Sequence, residues 1–168
     1  FNVFALAILF TVSGANAELH DRGNGLIYDD VLDITWLQDV NYSKTSGYHY
    51  DGRMNWVDAN AWADQLVYAG FDGWRLPRIL PVDGTQYNDD WSYDGSTDRG
   101  YNNRSSNSEM AHLYYETLGN IGYFNTQGNP DPNWTFPQNL GPFENFISPY
   151  IFWSGNADAF DDHARFLP

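Results

Sequence analysis

The sequence predicts an α+β domain, and three observations carry that prediction. Two short apolar runs, Gly25-Leu26-Ile27-Tyr28 and Ile34-Thr35-Trp36-Leu37, flank an acidic connector as the arms of a hairpin do. One amphipathic stretch covers residues 56–69, and a second helical pattern starts near Ser106. Long polar segments without periodicity separate them, so helices are few and segregated and loops dominate. The 168 residues suit one domain, and seven Trp, twelve Tyr and eleven Phe supply ample surface to bury. That aromatic content argues against disorder despite a formal net charge of −14.

Taken in order, residues 1–17 carry no charged side chain and include the apolar run 4–10. They end in Ala15-Asn16-Ala17, a small-residue cleavage signature, and polar sequence begins at Glu18. The pattern is that of a secretory signal peptide whose Met and basic n-region are missing. Residues 18–168 are then the expected mature part, exported to the cell envelope or the extracellular space. The apolar run is too short to span a bilayer, and no membrane span is expected in the mature part.

The hairpin follows, with Asp29-Asp30-Val31-Leu32-Asp33 between its arms. Residues 41–53 read as loop. In the helix over 56–69, Trp56, Ala59, Ala63, Leu66 and Val67 recur on one face. Asn55 caps its first turn, Asp58 lies near the positive end of the dipole, and Gly70 fits the left-handed C′ position. Gly73-Trp74-Arg75-Leu76-Pro77 is a short extended segment ended by proline. Residues 78–107 are mostly Asp, Asn, Gly, Ser and Tyr, and loops that long in compact domains are usually functional or mobile.

Ser106-x-x-Glu109 has the spacing of a capping box for the second helix. Its stripe is Met110, Leu113, Tyr114 and Leu118, and Gly119 ends it. Residues 120–149 are irregular. Tyr150-Ile151-Phe152-Trp153-Ser154 predicts a strand, with Ala164-Arg165-Phe166-Leu167 starting its partner. The chain stops inside that last segment, which predicts a domain truncated at its C-terminal end.

Several of these stretches carry a resemblance. Residues 25–30 and 34–39 form one part of it, followed by Met54-x-Trp56, Ala59-x-x-Trp62-Ala63-x-x-Leu66 and Gly73-Trp74-Arg75-Leu76-Pro77. Tyr150-x-x-Trp153-Ser154-Gly155 closes the set. In this order they resemble the Lcl C-terminal-like domain, named from bacterial collagen-like adhesins. The branch most similar is found in exported bacterial proteins that end in a PEP-CTERM sorting segment. The resemblance covers residues 18–168. It implies a C-type-lectin-like fold with two helices packed on short antiparallel strands, a role outside the cytoplasm, and no known reaction. A missing sorting segment would anchor the protein. Two departures stand out: the final W-A-V-R-P-like strand is absent, and Arg78–Gly84 continues as loop where many relatives carry a Glu-Leu or Glu-Trp helix start.

Candidate chemistry lies in the loops. Trp91, Tyr93, Tyr101 and Trp134 are aromatic residues among Asp and Asn, a composition suited to stacking on apolar sugar faces while amides and carboxylates bond hydroxyls. The competing reading is that these rings cover the core. Asp90, Ser92 and Asp94, with Gly95 after them, open like a calcium-binding EF-hand loop, but position twelve is Tyr101 rather than a bidentate Glu. A calcium site with help from Asp89 or Asp98 and an acidic solvated loop tip both remain open. Asp131-Pro132-Asn133, with Asn156 and Asp158, is similar to the Glu-Pro-Asn tripeptide of calcium-dependent lectins and is equally ordinary turn chemistry.

Composition sets aside other functions. With 22 acidic against 8 basic residues, nucleic acid and anionic membranes are disfavoured. Zero cysteine removes disulfides, thiolate nucleophiles and Cys-ligated zinc, and with them the chemistry of formylglycine-generating enzymes, which share the broad lectin-like fold. His20, His49, His112 and His163 have no metal-site spacing, and no G-x-S-x-G elbow or phosphate loop occurs. Carboxylates are too numerous for any pair to mark a glycosidase. The expectation is a non-enzymatic exported binding or adhesion module for neutral carbohydrate, matrix polymer or an extracellular protein, needing no cofactor, with calcium as an option. The alternatives are a passive envelope or biofilm-matrix domain and a polysaccharide hydrolase. Sulfated or uronic-acid glycans are disfavoured unless calcium bridges them.

Overall fold

The computed structural model describes residues 18–135, 138–146 and 152–156. The signal-peptide reading of residues 1–17, Asp158 and the strand partner at 164–167 lie outside them. The described chain is a mixed α and β structure with a small antiparallel sheet and a few short helices. Among the described residues no helix is long and apolar enough to cross a membrane.

The predicted hairpin forms as β2 (Leu26–Asp29) and β3 (Ile34–Leu37), in register from Leu26↔Leu37 to Asp29↔Ile34. Asp29 sets the turn. It is fully buried, and its Oδ1 accepts from the Val31 and Leu32 amides at 3.1 and 3.0 Å. A third strand, β1 (Leu19–Asp21), pairs antiparallel with β2 and makes an edge that its single apolar residue did not announce. Residues 142–144 extend the other side, where the Glu144 amide donates to the Gln38 carbonyl at 2.9 Å and the Val40 amide to the Glu144 carbonyl.

The segment read as loop after β3 contains a helical turn, α1 (Tyr42–Thr45). Next comes α2 (Trp56–Gln65), with Asn55 Oδ1 accepting from the Asp58 amide as predicted. The helix ends earlier than its periodicity implies, because Leu66 turns extended. Tyr68 and Phe71 then exchange two backbone bonds of 2.9 Å around Ala69 and Gly70, at φ +50° and +84°. Gly70 is left-handed as expected, but inside this tight turn rather than at a helix C′. Tertiary contact overrides helix propensity here: Tyr68 packs edge-on against Tyr42 and Trp74.

Residues 73–77 form no strand of their own. The second helix, α3 (Glu109–His112), runs into a π-helical turn, Leu113–Thr117. Ser108 occupies its N-cap position without a side-chain bond, so the Ser106–Glu109 capping box does not form. The reason is that Glu109 is engaged elsewhere, as described below. Of the predicted stripe Met110 is buried as expected, but the extra residue in the π turn rotates the face after it, so that Ala111 and Tyr115 are buried while Leu113, Tyr114 and Leu118 are half-buried.

The buried apolar set is Leu26, Ile27, Ala59, Ala63, Ile79, Met110, Ala111, Tyr115 and Phe143. Trp36, Trp56, Trp62, Trp74 and Trp153, whose positions in the regular and apolar segments of the sequence imply core residues, are all only half-buried. Two of them tie the start of α2 to residues 153–154, nearly a hundred positions further on. Trp56 Nε1 donates to the Ser154 carbonyl and Trp153 Nε1 to the Met54 carbonyl, each at 2.7 Å. Ser154 is fully buried, and the Gly155 amide donates to Pro77. The described part of the predicted strand, residues 152–154, is therefore docked on the start of α2 without being a strand.

Candidate functional site

The long loop after Pro77 is closed at its base. Arg75 forms a two-pronged pair with Glu109, Nη2 to Oε1 at 2.7 Å and Nη1 to Oε2 at 2.8 Å. Glu109 Oε2 also accepts from the Arg78 amide at 2.7 Å. Across the loop's neck Ile79 bridges Ser108, the Glu109 amide donates to the Arg78 carbonyl, and the Leu80 amide donates to Asn107 at 2.7 Å. The Glu109 bonds to Arg75 hold its guanidinium firmly protonated. A polar segment of this length is thus a stalked body rather than a loose excursion. Inside it, β4 (Trp91–Ser92) and β5 (Arg99–Gly100) pair in parallel.

All four aromatic residues singled out from the sequence join one contiguous set of ring contacts, Trp91, Tyr93 and Tyr101 from this body and Trp134 from the segment after the second helix. Tyr93 and Tyr101 lie nearly parallel, 12° apart, with centroids at 6.3 Å. Trp91 stands edge-on to both, at 6.3 and 6.0 Å, and is 54% exposed. Phe124 packs edge-on to Tyr93 and Tyr101, at 5.4 and 5.1 Å. From there Tyr123, at 4.8 Å, leads on to Trp134, at 5.3 Å. Tyr123 is also exposed, whereas Tyr93, Tyr101, Phe124 and Trp134 are half-buried.

Tyr123 and Phe124 were not anticipated. Their only signal was an adjacent aromatic pair in an Asn- and Gly-rich stretch.

The backbone under the rings is pinned by polar groups. Asn102 Nδ2 donates to the Tyr93 carbonyl at 2.7 Å and the Phe124 carbonyl at 2.9 Å, which ties the two contributing loops to each other. The Asp131 amide donates to the Tyr123 carbonyl at 2.8 Å, and the Trp134 amide to the Asp131 carbonyl at 3.1 Å. Gly128, at φ +78°, passes beneath Tyr93 so closely that a Cβ would sit 2.9 Å from the ring. Burial, followed by the neighbouring Tyr93 and Tyr123, raises the Tyr101 hydroxyl above its ordinary value, so it stays a neutral donor at physiological pH. Chemically this is an aromatic face edged with hydroxyls, amides and carboxylates.

The carboxylates near the face are mostly engaged within the loop. Asp94 Oδ1 accepts from the Ser96 hydroxyl at 2.6 Å and amide at 3.1 Å, which holds its carboxyl below the usual range. Asp98 accepts from the Val82 amide at 2.8 Å and the Asn88 amide at 2.6 Å. Asp90 is exposed and Ser92 half-buried. Among the described residues, three carboxylate or imidazole ligand atoms come within 4.8 Å of one another at Glu18, His20 and Asp30, on the sheet, and not at the Asp90 loop. Asp131 Oδ1 accepts from the Asn133 amide at 2.9 Å, and Asn156 Oδ1 accepts from the Ile79 amide at 2.8 Å, both structural uses. His112 is buried, with its Nδ1 3.2 Å from the Arg104 carbonyl.

Away from the aromatic face, an open groove of about 460 Å³ is lined by Tyr42, Tyr48, Trp62, Gln65, Leu66 and Val67 among others. Trp62 thus faces a surface groove instead of the core.

The fold and site define a mixed α and β protein bearing an exposed aromatic face. Compared with protein-family models, curated proteins and solved structures, the chain matches none.

Proposed function

We propose that this chain is an exported, non-enzymatic binding module for neutral carbohydrate, of the Lcl C-terminal-like, C-type-lectin-like kind. The observation that carries the reading is the single aromatic group formed by Trp91, Tyr93, Tyr101, Phe124, Tyr123 and Trp134. Rings held by their neighbours lose little freedom on binding, and exposed faces such as Trp91 stack on the apolar face of a sugar ring. The surrounding charge favours neutral ligands over sulfated or uronic ones.

Further support comes from Glu109, which starts α3 and pairs with Arg75. Many members of the resembled family start a helix with Glu directly after Pro77; here a Glu likewise starts the helix, but after residues 78–108. The export reading draws on residues 1–17. Calcium is not required in this reading, because stacking supplies the contact.

The test is binding to an array of neutral and acidic glycans, with and without EDTA, by the protein and by Trp91→Ala. Binding to neutral glycans that survives EDTA and weakens about tenfold in Trp91→Ala is the expected result. Equal binding by both proteins, or none by either, refutes the reading. Loss on chelation transfers the site to the Asp90, Ser92 and Asp94 loop.

A further inference from the structure

We infer that removal of residues 1–17 creates a Cu(II)- and Ni(II)-binding site at the new amino terminus, Glu18-Leu19-His20. This rests on the export reading above, though not on the carbohydrate one. A free α-amine with histidine at the third position is a chelator by its connectivity alone. The amine, the two following amide nitrogens and the imidazole Nδ1 close fused rings around one ion in a plane. An all-nitrogen square plane is the geometry that Cu(II) and Ni(II) favour. Cleavage after Ala15-Asn16-Ala17 leaves His20 at that third position, and at no other cleavage point does it fall there.

The structure adds four features that the motif does not contain. Glu18 and His20 are exposed, and they lie on and beside β1, the edge strand of the sheet. Glu18 N lies 2.9 Å from Asp30 Oδ1, so the new ammonium forms next to a carboxylate, which favours its protonated form and makes metal uptake steeper in pH. His20 Nε2 lies 3.2 Å from Asp30 Oδ2. A carboxylate only accepts, so in the neutral ring Nε2 carries the proton and Nδ1 keeps the lone pair. Nδ1 is the nitrogen that a third-position histidine presents to the metal. A carboxylate on the far ring nitrogen also orients metal-bound imidazoles and raises their basicity. Glu18 contributes a carboxylate oxygen within 4.8 Å of the His20 and Asp30 ligand atoms, which would add negative charge beside the ion.

Chelation releases protons from the amine and the two amides, so affinity rises with pH. It also draws the leading amides of β1 off a pairing only three residues long.

The test titrates CuCl2 into the protein with Glu18 as its first residue. The controls are the same protein retaining Ala17, which moves histidine to the fourth position, and His20→Ala. The expected result is a saturable site with the visible absorption and nitrogen hyperfine pattern of square-planar copper, seen only when Glu18 is first. Asp30→Asn keeps that spectrum and weakens binding about tenfold. Identical copper spectra with and without Ala17 overturn the inference, since extension by one residue leaves the fold and the carboxylates in place. Sequencing the amino terminus of protein exported by a bacterial host tests the processing step separately. A terminus other than Glu18 overturns the inference through the export reading, whereas failure to bind glycans leaves it standing.

Discussion

Replacing Glu109 with alanine isolates the contact that holds the aromatic loop to the body. Three hydrogen bonds disappear at once, two to the Arg75 guanidinium and one to the Arg78 amide. Glu109 is 12% exposed and Arg75 37%, so the pair is screened on one side only. Hydrogen bonds to charged groups contribute roughly 1.5–3 kcal/mol each when shielded, and exposure of the arginine lowers that figure. A loss of about 3 kcal/mol for Glu109→Ala follows, with about 1.5 kcal/mol of coupling to Arg75 in a double-mutant cycle. In a chain of this size that corresponds to a Tm lower by roughly 6–12 °C.

Arg104–Glu116 is the internal control, an ion pair of the same 2.7 Å length whose partners are 51% and 39% exposed. Its coupling should stay below about 1 kcal/mol. Urea unfolding of both cycles measures the two numbers. Equal coupling in the two pairs, or less than about 0.5 kcal/mol for Arg75–Glu109, would refute the claim that this clamp closes the loop.

Burial pushes the Tyr114 hydroxyl up to about 12 from an ordinary 10. Its contribution is therefore complete below pH 10 and lost as pH rises through 12; because the ring is only half-buried, solvent screening holds the loss to about 1–2 kcal/mol, and Tyr114→Phe should flatten that decline in alkaline unfolding experiments. Trp153→Phe removes the indole bond to Met54 and should cost about 1–2 kcal/mol, read from the urea midpoint. In acid, the Asp30 carboxyl is held below its usual range by the Glu18 amide and His20, so its stabilising effect is present at neutral pH. That effect disappears as pH falls through the lowered value, and Asp30→Asn should lose this low-pH sensitivity.

The start of α2 was legible because its cap is local: Asn55 and Asp58 are three residues apart and need no other partner. The β2–β3 hairpin was legible for the same reason, with Asp29 serving the amides directly after it. What sequence reasoning missed was decided by distant partners. Glu109 has the spacing of a capping residue, yet its carboxylate goes to an arginine 34 positions away. The end of α2 is set by the rings that Tyr68 meets, and the π turn after His112 left no periodic trace.

Four members of the aromatic face could be named because they sit in polar segments where no core stripe explains them. Their assembly could not be foreseen, since Tyr123 and Phe124 reach them through a turn fixed by Asn102 and Gly128. Ring density gave the ingredients of the site, and side-chain-to-backbone bonds between loops gave its shape.

The most direct measurement follows the indole N–H resonances of the tryptophans while a neutral oligosaccharide identified on the array is added. Trp91 and Trp134 should shift in a saturable manner. Trp56 and Trp153, bonded to the Ser154 and Met54 carbonyls, should stay where they are. Shifts confined to Trp62, beside the Tyr48 groove, or no shift in any indole would contradict the placement of the binding face on the loop aromatics.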